Sequence, residues 1–175
     1  MLNDRQENSL LDDIIDDKLY YRTFFGKDPD YYEERYEKML AGRATVFNAY
    51  AFFLGFFWLA YRKMYVEIAA LVGIMVVIEC IMIFALGIDD PSIDRVTNFI
   101  WAIIIGLYAN TFYFKKAERT VRQAKEMYAN TGDQLDYVEK EGGVSAIGPW
   151  IVGAVFVAIV IGTMLLYDYL AVYDY

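Results

Sequence analysis

The distribution of charge along the chain constrains its fold more than any other feature. Residues 1–43 are polar, with 11 acids against 7 bases, but long stretches after them are nearly free of charge. No charge falls between Arg43 and Arg62. Residues 66–88 carry only Glu67 and Glu79, and residues 96–114 and 142–167 carry none. A bilayer core of roughly 30 Å requires about 20 apolar residues at about 1.5 Å of rise each. The segments 66–88, 96–114 and 146–167 reach that length. A chain of 175 residues cannot wrap three such helices in soluble protein, so an all-α integral membrane protein is expected.

Composition narrows the chemistry. Hydrophobic residues make up 58% and aromatics 18%, where soluble domains have roughly 45–50% apolar residues. The chain has no histidine, which removes the commonest metal ligand and general base. A single cysteine rules out an internal disulfide and a thiolate zinc site within one chain. A net charge of −8 argues against a nucleic-acid partner, which needs a basic face. There is no glycine loop for phosphates, no GxSxG, no HExxH and no pair of intramembrane carboxylates. No catalytic residue, metal or cofactor is expected, and the chain is read as a non-enzyme. Its acidic start, MLNDRQENSLLDDIIDDK, is unlike the basic opening of a signal peptide, so the N-terminal region is expected to stay on the protein.

Lysine and arginine set the orientation. Arg62 and Lys63 flank one end of the hairpin 66–114, and Lys115 and Lys116 flank the other. The intervening DDPSIDR loop has three acids and one base. The positive-inside rule places both basic pairs in the cytoplasm and the loop outside, with the tail DYLAVYDY also outside. The expected organisation is an acidic cytoplasmic region with helical character over 1–43, an aromatic helix over 44–65 and a transmembrane hairpin over 66–114. A cytoplasmic basic helix and linker over 115–145 and a third transmembrane helix with outer tail over 146–175 complete it.

The aromatic segment is the unusual part. Between Phe47 and Tyr61 stand eight aromatic residues, which favour a headgroup boundary over the hydrocarbon centre. With bases at both of its ends, 44–61 reads as a re-entrant or interfacial helix, giving three spans. The alternative is a full span, giving four. Trp58, Tyr61, Arg62 and Lys63 are expected to anchor this boundary, the cations by snorkelling. Asn48, within so apolar a segment, must satisfy its amide against another span.

Three further features carry expectations. The stretch 115–130 has five bases and two acids, and reads as a helix continuing from the preceding span. Its Lys115, Lys116, Arg119, Arg122 and Lys125 either contact anionic headgroups or only set topology. The stretch 31–43 reads as a helix following the breaker at Asp28-Pro29, with Asp30 and Glu33 matching a capping box and most of its charges expected to face solvent. Small residues recur four apart at Ala51/Gly55, Ala69/Gly73, Ala102/Gly106 and Ala154/Ala158/Gly162, a spacing that lets membrane helices pack with each other or with a partner. Glu79 is the candidate intramembrane functional residue, about 20 Å into its span at about 1.5 Å per residue. It is read either as a lone protonated carboxyl hydrogen-bonded to a neighbour or as part of an ion path. Glu67, at the inner boundary, lies within reach of Lys63.

The run FNAYAFFLGFFWLAYRKMY over 47–65 resembles a family of small bacterial membrane proteins of unknown function. Their shared motif is approximately F-N-x-x-A-F-F-x-G-x-F-W-x-x-Y-R-K-M-Y. The family often has proline where this chain has Phe56. The tracts FFGKDPDYYEERYEKM and ANTFYFKKAERTV are also similar to it, so the resemblance spans roughly 24–125 and implies a multi-pass protein of the bacterial cytoplasmic membrane. It implies no activity. The expected function is an accessory or scaffold component working through the lipid bilayer, a homo-oligomer or membrane-protein partner, and a cytoplasmic protein. The alternative is a small channel or proton/ion transporter component using Glu79.

Overall fold

The computed structural model describes residues 17–43, 45–88 and 90–173, the last four by backbone alone. The acidic stretch before residue 17 and the last two residues of the tyrosine-bearing tail lie outside the described residues, as do Ala44 and Asp89. Among the described residues eight α-helices follow in order: α1 (17–25), then α2 (Pro29–Leu40), α3 (Ala49–Leu54), α4 (Phe56–Tyr61), α5 (Tyr65–Cys80), α6 (Pro91–Met127), α7 (Thr131–Glu141) and α8 (Gly148–Tyr173). A π-helical turn, Ile81–Ala85, extends α5. Among the described residues there is no strand.

Three helices are long and apolar enough to cross a membrane: Tyr65–Ala85, α6 and Gly148–Tyr169 within α8. The 37 residues of α6 are about 55 Å long at about 1.5 Å per residue, so this helix exceeds any bilayer core. Its first half, from Pro91 to Ile104, buries no side chain, whereas Ile105, Ala109, Tyr113, Phe114, Ala117, Val121 and Ala124 form a buried stripe in its second half. That period is the one expected of an amphipathic helix with one core-facing side. The expected continuation of the 96–114 segment into the basic stretch is therefore present as one unbroken helix ending at Met127.

The core is an aromatic cluster built on this stripe. Phe24 of α1 lies 5.3 Å from the Tyr113 ring, Tyr32 of α2 lies 5.2 Å from it, and Tyr36 lies 5.3 Å from Phe114. Such offset and edge geometries add to the burial of the rings themselves. Tyr20 donates to Gln134 of α7, and the Gly143 amide donates to the Phe24 carbonyl at 2.7 Å, so α1 is tied across to the far side of α6.

The expected capping box at Asp30 is not formed. Pro29 occupies the first turn, so the cap position falls on Asp28, which has a left-handed backbone (φ 61°) and makes no side-chain cap bond. Asp30 and Glu33 instead bind Arg22 of α1, with Lys18 also on Glu33. The charges expected to face solvent here in fact join α1 to α2.

The aromatic segment is two short helices rather than one. Each has six residues, about 9 Å at about 1.5 Å per residue, well short of a span. They meet at Gly55, whose φ of 50° and ψ of −122° suit glycine and few other residues. Phe56 is the first residue of α4, a position where proline is equally at home, so the glycine suffices to break the chain. The α3 helix lies along α6: the Asn48 amide donates to the Gly106 carbonyl at 2.8 Å, and the Phe52 ring is 6.2 Å from Phe99. A Cβ at Gly106 would stand 2.8 Å from the Phe47 ring and 2.9 Å from Phe52 Cβ, so only glycine permits this approach. The α4 helix then returns, bringing Trp58 within 6.1 Å of Tyr113.

One layer gathers the starts of α5 and α8 and the point on α6 where its apolar run gives way to lysines. Lys116 Nζ on α6 donates to the Lys63 carbonyl at 2.8 Å, just before α5. Lys63 Nζ donates to the Lys140 carbonyl at 2.8 Å, and Ser145 N, just before α8, to the Tyr61 carbonyl at 2.7 Å. Beyond this layer the long helices hardly touch. No residue of α5 is buried, and past Gly148 no described side chain of α8 is buried.

Candidate functional site

The motif residues run from this layer along α6. Asn48 is wholly buried. Its Oδ1 accepts from Ala51 N at 3.0 Å, capping α3, and its Nδ2 donates to Asn110 Oδ1 at 2.8 Å. Asn110 Nδ2 then donates to the Val46 carbonyl at 3.0 Å. The expectation that Asn48 satisfies its amide against another apolar segment is met by Asn110, and the pair bolts α3 to α6.

Arg62 overturns part of the anchoring expectation. Its side chain points into the protein, leaving the residue 3% exposed and unable to snorkel. Nη1 donates to the Phe25 carbonyl at 3.0 Å and the Tyr113 hydroxyl at 3.3 Å, and Nη2 to the Lys27 carbonyl at 3.5 Å. The guanidinium lies 4.2 Å from the Tyr32 ring centre and 5.3 Å from that of Tyr113. Burial pushes the Tyr32 phenol upward, and the adjacent Arg62 charge draws it partly back. Trp58, also expected at the boundary, is buried in the same aromatic cluster.

The turn at Lys63 explains these directions. The α4 helix closes with Lys63 N on the Ala60 carbonyl at 3.0 Å and Met64 N on the Leu59 carbonyl at 2.9 Å, a Schellman arrangement. The residue after its C-cap must be left-handed, and Lys63 takes that place with φ 56°. This reversal aims Arg62 inward and commits Lys63 Nζ to Lys140. Glu67 consequently pairs with Arg119 of α6 at 2.8 Å rather than with Lys63. Tyr61 is half-buried, with its ring 5.7 Å from the Arg62 guanidinium.

The basic face of α6 divides. Lys115, Arg119, Arg122 and Lys125 are exposed, and Lys125 pairs with Asp17 at 2.6 Å. Lys116 turns inward to the Lys63 and Glu141 carbonyls, which removes it from the set expected at headgroups. Glu118 accepts from Tyr36 at 2.9 Å.

Glu79 stands near the other end of the hairpin, beside a cleft of about 300 Å³ that it lines with Asp94, Asn98, Thr97 and Trp101. No carboxylate is expected to pair with Glu79, yet Asp94 lines the same cleft. Pro91 and the Asp90 cap, which accepts from Ser92 N at 2.7 Å, start α6 early. Asp94 thus sits in the first helical turn rather than in the loop. Among the described residues no hydrogen bond joins Glu79 to a neighbour, and no cluster of acids, cysteine or histidine could hold a metal ion.

Sequence reasoning missed Tyr32, Tyr113 and Asp94. The aromatic content of 20–36 was the available signal for the first, and the proline–aspartate start of α6 for the last.

The class is thus an all-helical protein with three helices long and apolar enough to cross a membrane. Residues 15–119 match the family described as "Protein of unknown function (DUF2628)", and the chain belongs to that family. No curated protein and no solved structure matches the chain.

Proposed function

We propose that this is a multi-pass membrane protein that works by assembly, as an accessory or scaffold component rather than a catalyst. One observation carries the reading: α5 and α8 bury almost nothing within their own chain, yet both display open ridges of small residues. Ala69 and Gly73 on α5 and Ala154, Ala158 and Gly162 on α8 are unburied, and a Cβ at Gly73 or Gly162 would meet nothing within 4 Å. Lipid tails are as apolar as these helices, so exposure alone drives no association. Small residues that let backbones approach do. The ridges at Ala51 and Gly106 are already filled by α3 against α6, leaving those on α5 and α8 for a second copy or a partner helix.

In this reading the layer of Lys63, Lys116 and Ser145 lies at the cytoplasmic boundary, with the N-terminal helices and α7 inside the cell. The exposed bases of α6 face anionic headgroups there. The helices α3 and α4 re-enter the bilayer and return. The path of α3 from Asn110 towards Phe99, followed by the reversal at Gly55, supports this placement. The aromatic unit of α1, α2 and α7 then presents a surface to a cytoplasmic protein. The localisation that goes with it is the bacterial cytoplasmic membrane.

The test is assembly in lipid nanodiscs, measured by cross-linking and light scattering. Gly73→Leu and Gly162→Leu should each weaken assembly about tenfold while helix content and thermal stability persist. A wild-type protein that stays monomeric and retains no membrane partner in mild detergent would overturn the proposal. The Glu79–Asp94 cleft favours a second reading, a channel or transporter component, which proton-dependent flux in liposomes abolished by Glu79→Gln would support.

A further inference from the structure

The aromatic motif leaves a cavity that neither packing nor assembly accounts for. It has a volume of about 740 Å³ and lies where α2, the α3–α4 hairpin and the start of α8 meet. Its walls include Tyr32, Tyr50, Leu54, Phe57, Trp58 and Tyr61. That size and aromatic lining are those of small-molecule sites, which add a few placed polar groups to an apolar wall. Here the polar groups are Arg62 and Lys27, with Asp28 exposed beside them.

Arg62 gives the cavity its charge. It is only 3% exposed, and no carboxylate among the described residues pairs with it. Its Nε is buried without a hydrogen-bond partner. Two carbonyls, one phenol and the aromatic faces spread its charge, but none of them neutralises it. A buried cation without a counter-charge is costly, and an anion brought to it would gain a strong charge-assisted contact. Lys27, exposed and lining the same cavity, adds a second cation.

The cavity's aliphatic and aromatic lining is open to the outside, with Phe57 and Leu54 both about half exposed. One molecule that satisfies both the cations and this lining has an acidic head and a hydrocarbon tail. We propose that this cavity binds an anionic amphiphile, its carboxylate or phosphate head at Arg62 and Lys27 and its chain along Leu54 and Phe57. The cavity is formed within one chain, so it does not rest on the assembly reading.

The test is one-to-one binding to the purified full chain by native mass spectrometry and thermal shift. The probes are lysophosphatidylglycerol, lysophosphatidylcholine, oleate and inorganic phosphate. Both anionic amphiphiles should bind at least tenfold more tightly than lysophosphatidylcholine, and inorganic phosphate far more weakly. Lys27→Gln, at an exposed side chain, should weaken the anionic probes several-fold and leave lysophosphatidylcholine unchanged. Leu54→Trp, which fills the apolar wall, should weaken all amphiphiles alike. Arg62→Lys should weaken the anions further still, and unfolding of that variant leaves the other two to decide. Equal binding of anionic and zwitterionic lipids, or indifference to both Lys27→Gln and Leu54→Trp, would overturn the proposal. Binding of inorganic phosphate as tight as that of the amphiphiles would instead make the site one for a free anion.

Discussion

Replacing Asn48 by alanine removes two hydrogen bonds and spares a third. The cap from Oδ1 to Ala51 N, 3.0 Å long, is worth about 1 kcal/mol by analogy with other helix caps. The bond from Nδ2 to Asn110 Oδ1 at 2.8 Å joins two apolar segments, and such bonds contribute about 0.6–2 kcal/mol. The backbone bond from Asn48 N to the Gly106 carbonyl does not involve the side chain and should persist. Asn48→Ala should therefore cost about 2–3 kcal/mol of folding free energy, with membrane insertion unchanged. Asn48→Ser retains an oxygen for the cap but cannot reach Asn110, so it should cost about 1–2 kcal/mol. Asn48→Asp keeps the acceptor and loses the donor, setting oxygen against Asn110 Oδ1 in a fully buried place, and should be the worst of the three. The assay is reversible unfolding in mixed micelles, arranged as a double-mutant cycle with Asn110→Ala. A coupling of about 1 kcal/mol or more is expected, above the roughly 0.3–0.5 kcal/mol scatter of independent sites. Additive costs would refute the pairing, and an Asn48→Asp variant as stable as Asn48→Ser would refute the geometry.

Two other expectations concern orientation and acid. In a Cys80→Ser background, Ser92→Cys should react with a membrane-impermeant reagent on intact cells and Gln123→Cys should not, whereas the reverse pattern would sink the assigned topology. Glu33 is held below the usual carboxylate value of 4.5 chiefly by its hydrogen bond from Lys18, then by Arg22. Its folded-state value is lowered, so its contribution to joining α1 and α2 is present above about pH 4.5 and lost as pH falls through the lowered value. Amide protection over residues 17–25, taken relative to the intrinsic exchange rate at each pH, should fall on acidification in the wild type, and Glu33→Gln should remove that fall. An identical acid response in both proteins would mean that another carboxylate holds the two helices together.

The parts of this fold that were legible are those in which one residue's chemistry decides its surroundings. Span length is a property of an uninterrupted run, so the apolar helices could be read from where charge stops. Asn48 was legible for the same reason: an amide in apolar surroundings must find a partner, although the sequence did not say that the partner was Asn110. Arg62 shows where this kind of reading fails. A charge rule counts the cation beside a span but carries no information about rotation. The direction of Arg62 is set one residue later, by a left-handed turn that the sequence assigns to a lysine rather than the usual glycine. Asp94 was misplaced by a similar margin, because Pro91 begins α6 before the charge-free run begins. The N-terminal helices failed differently. Their acids and bases suggest a solvated surface, yet Tyr20, Phe24, Phe25 and Tyr32 point the other way and join the buried core. The failures at Arg62 and in the N-terminal helices are of direction rather than of position along the chain, and both fall where different helices meet. The candidate ligand site lies at that junction too. Its cation came from one helix end, its aromatic wall from three elements, and only the fold brings them to a common cavity.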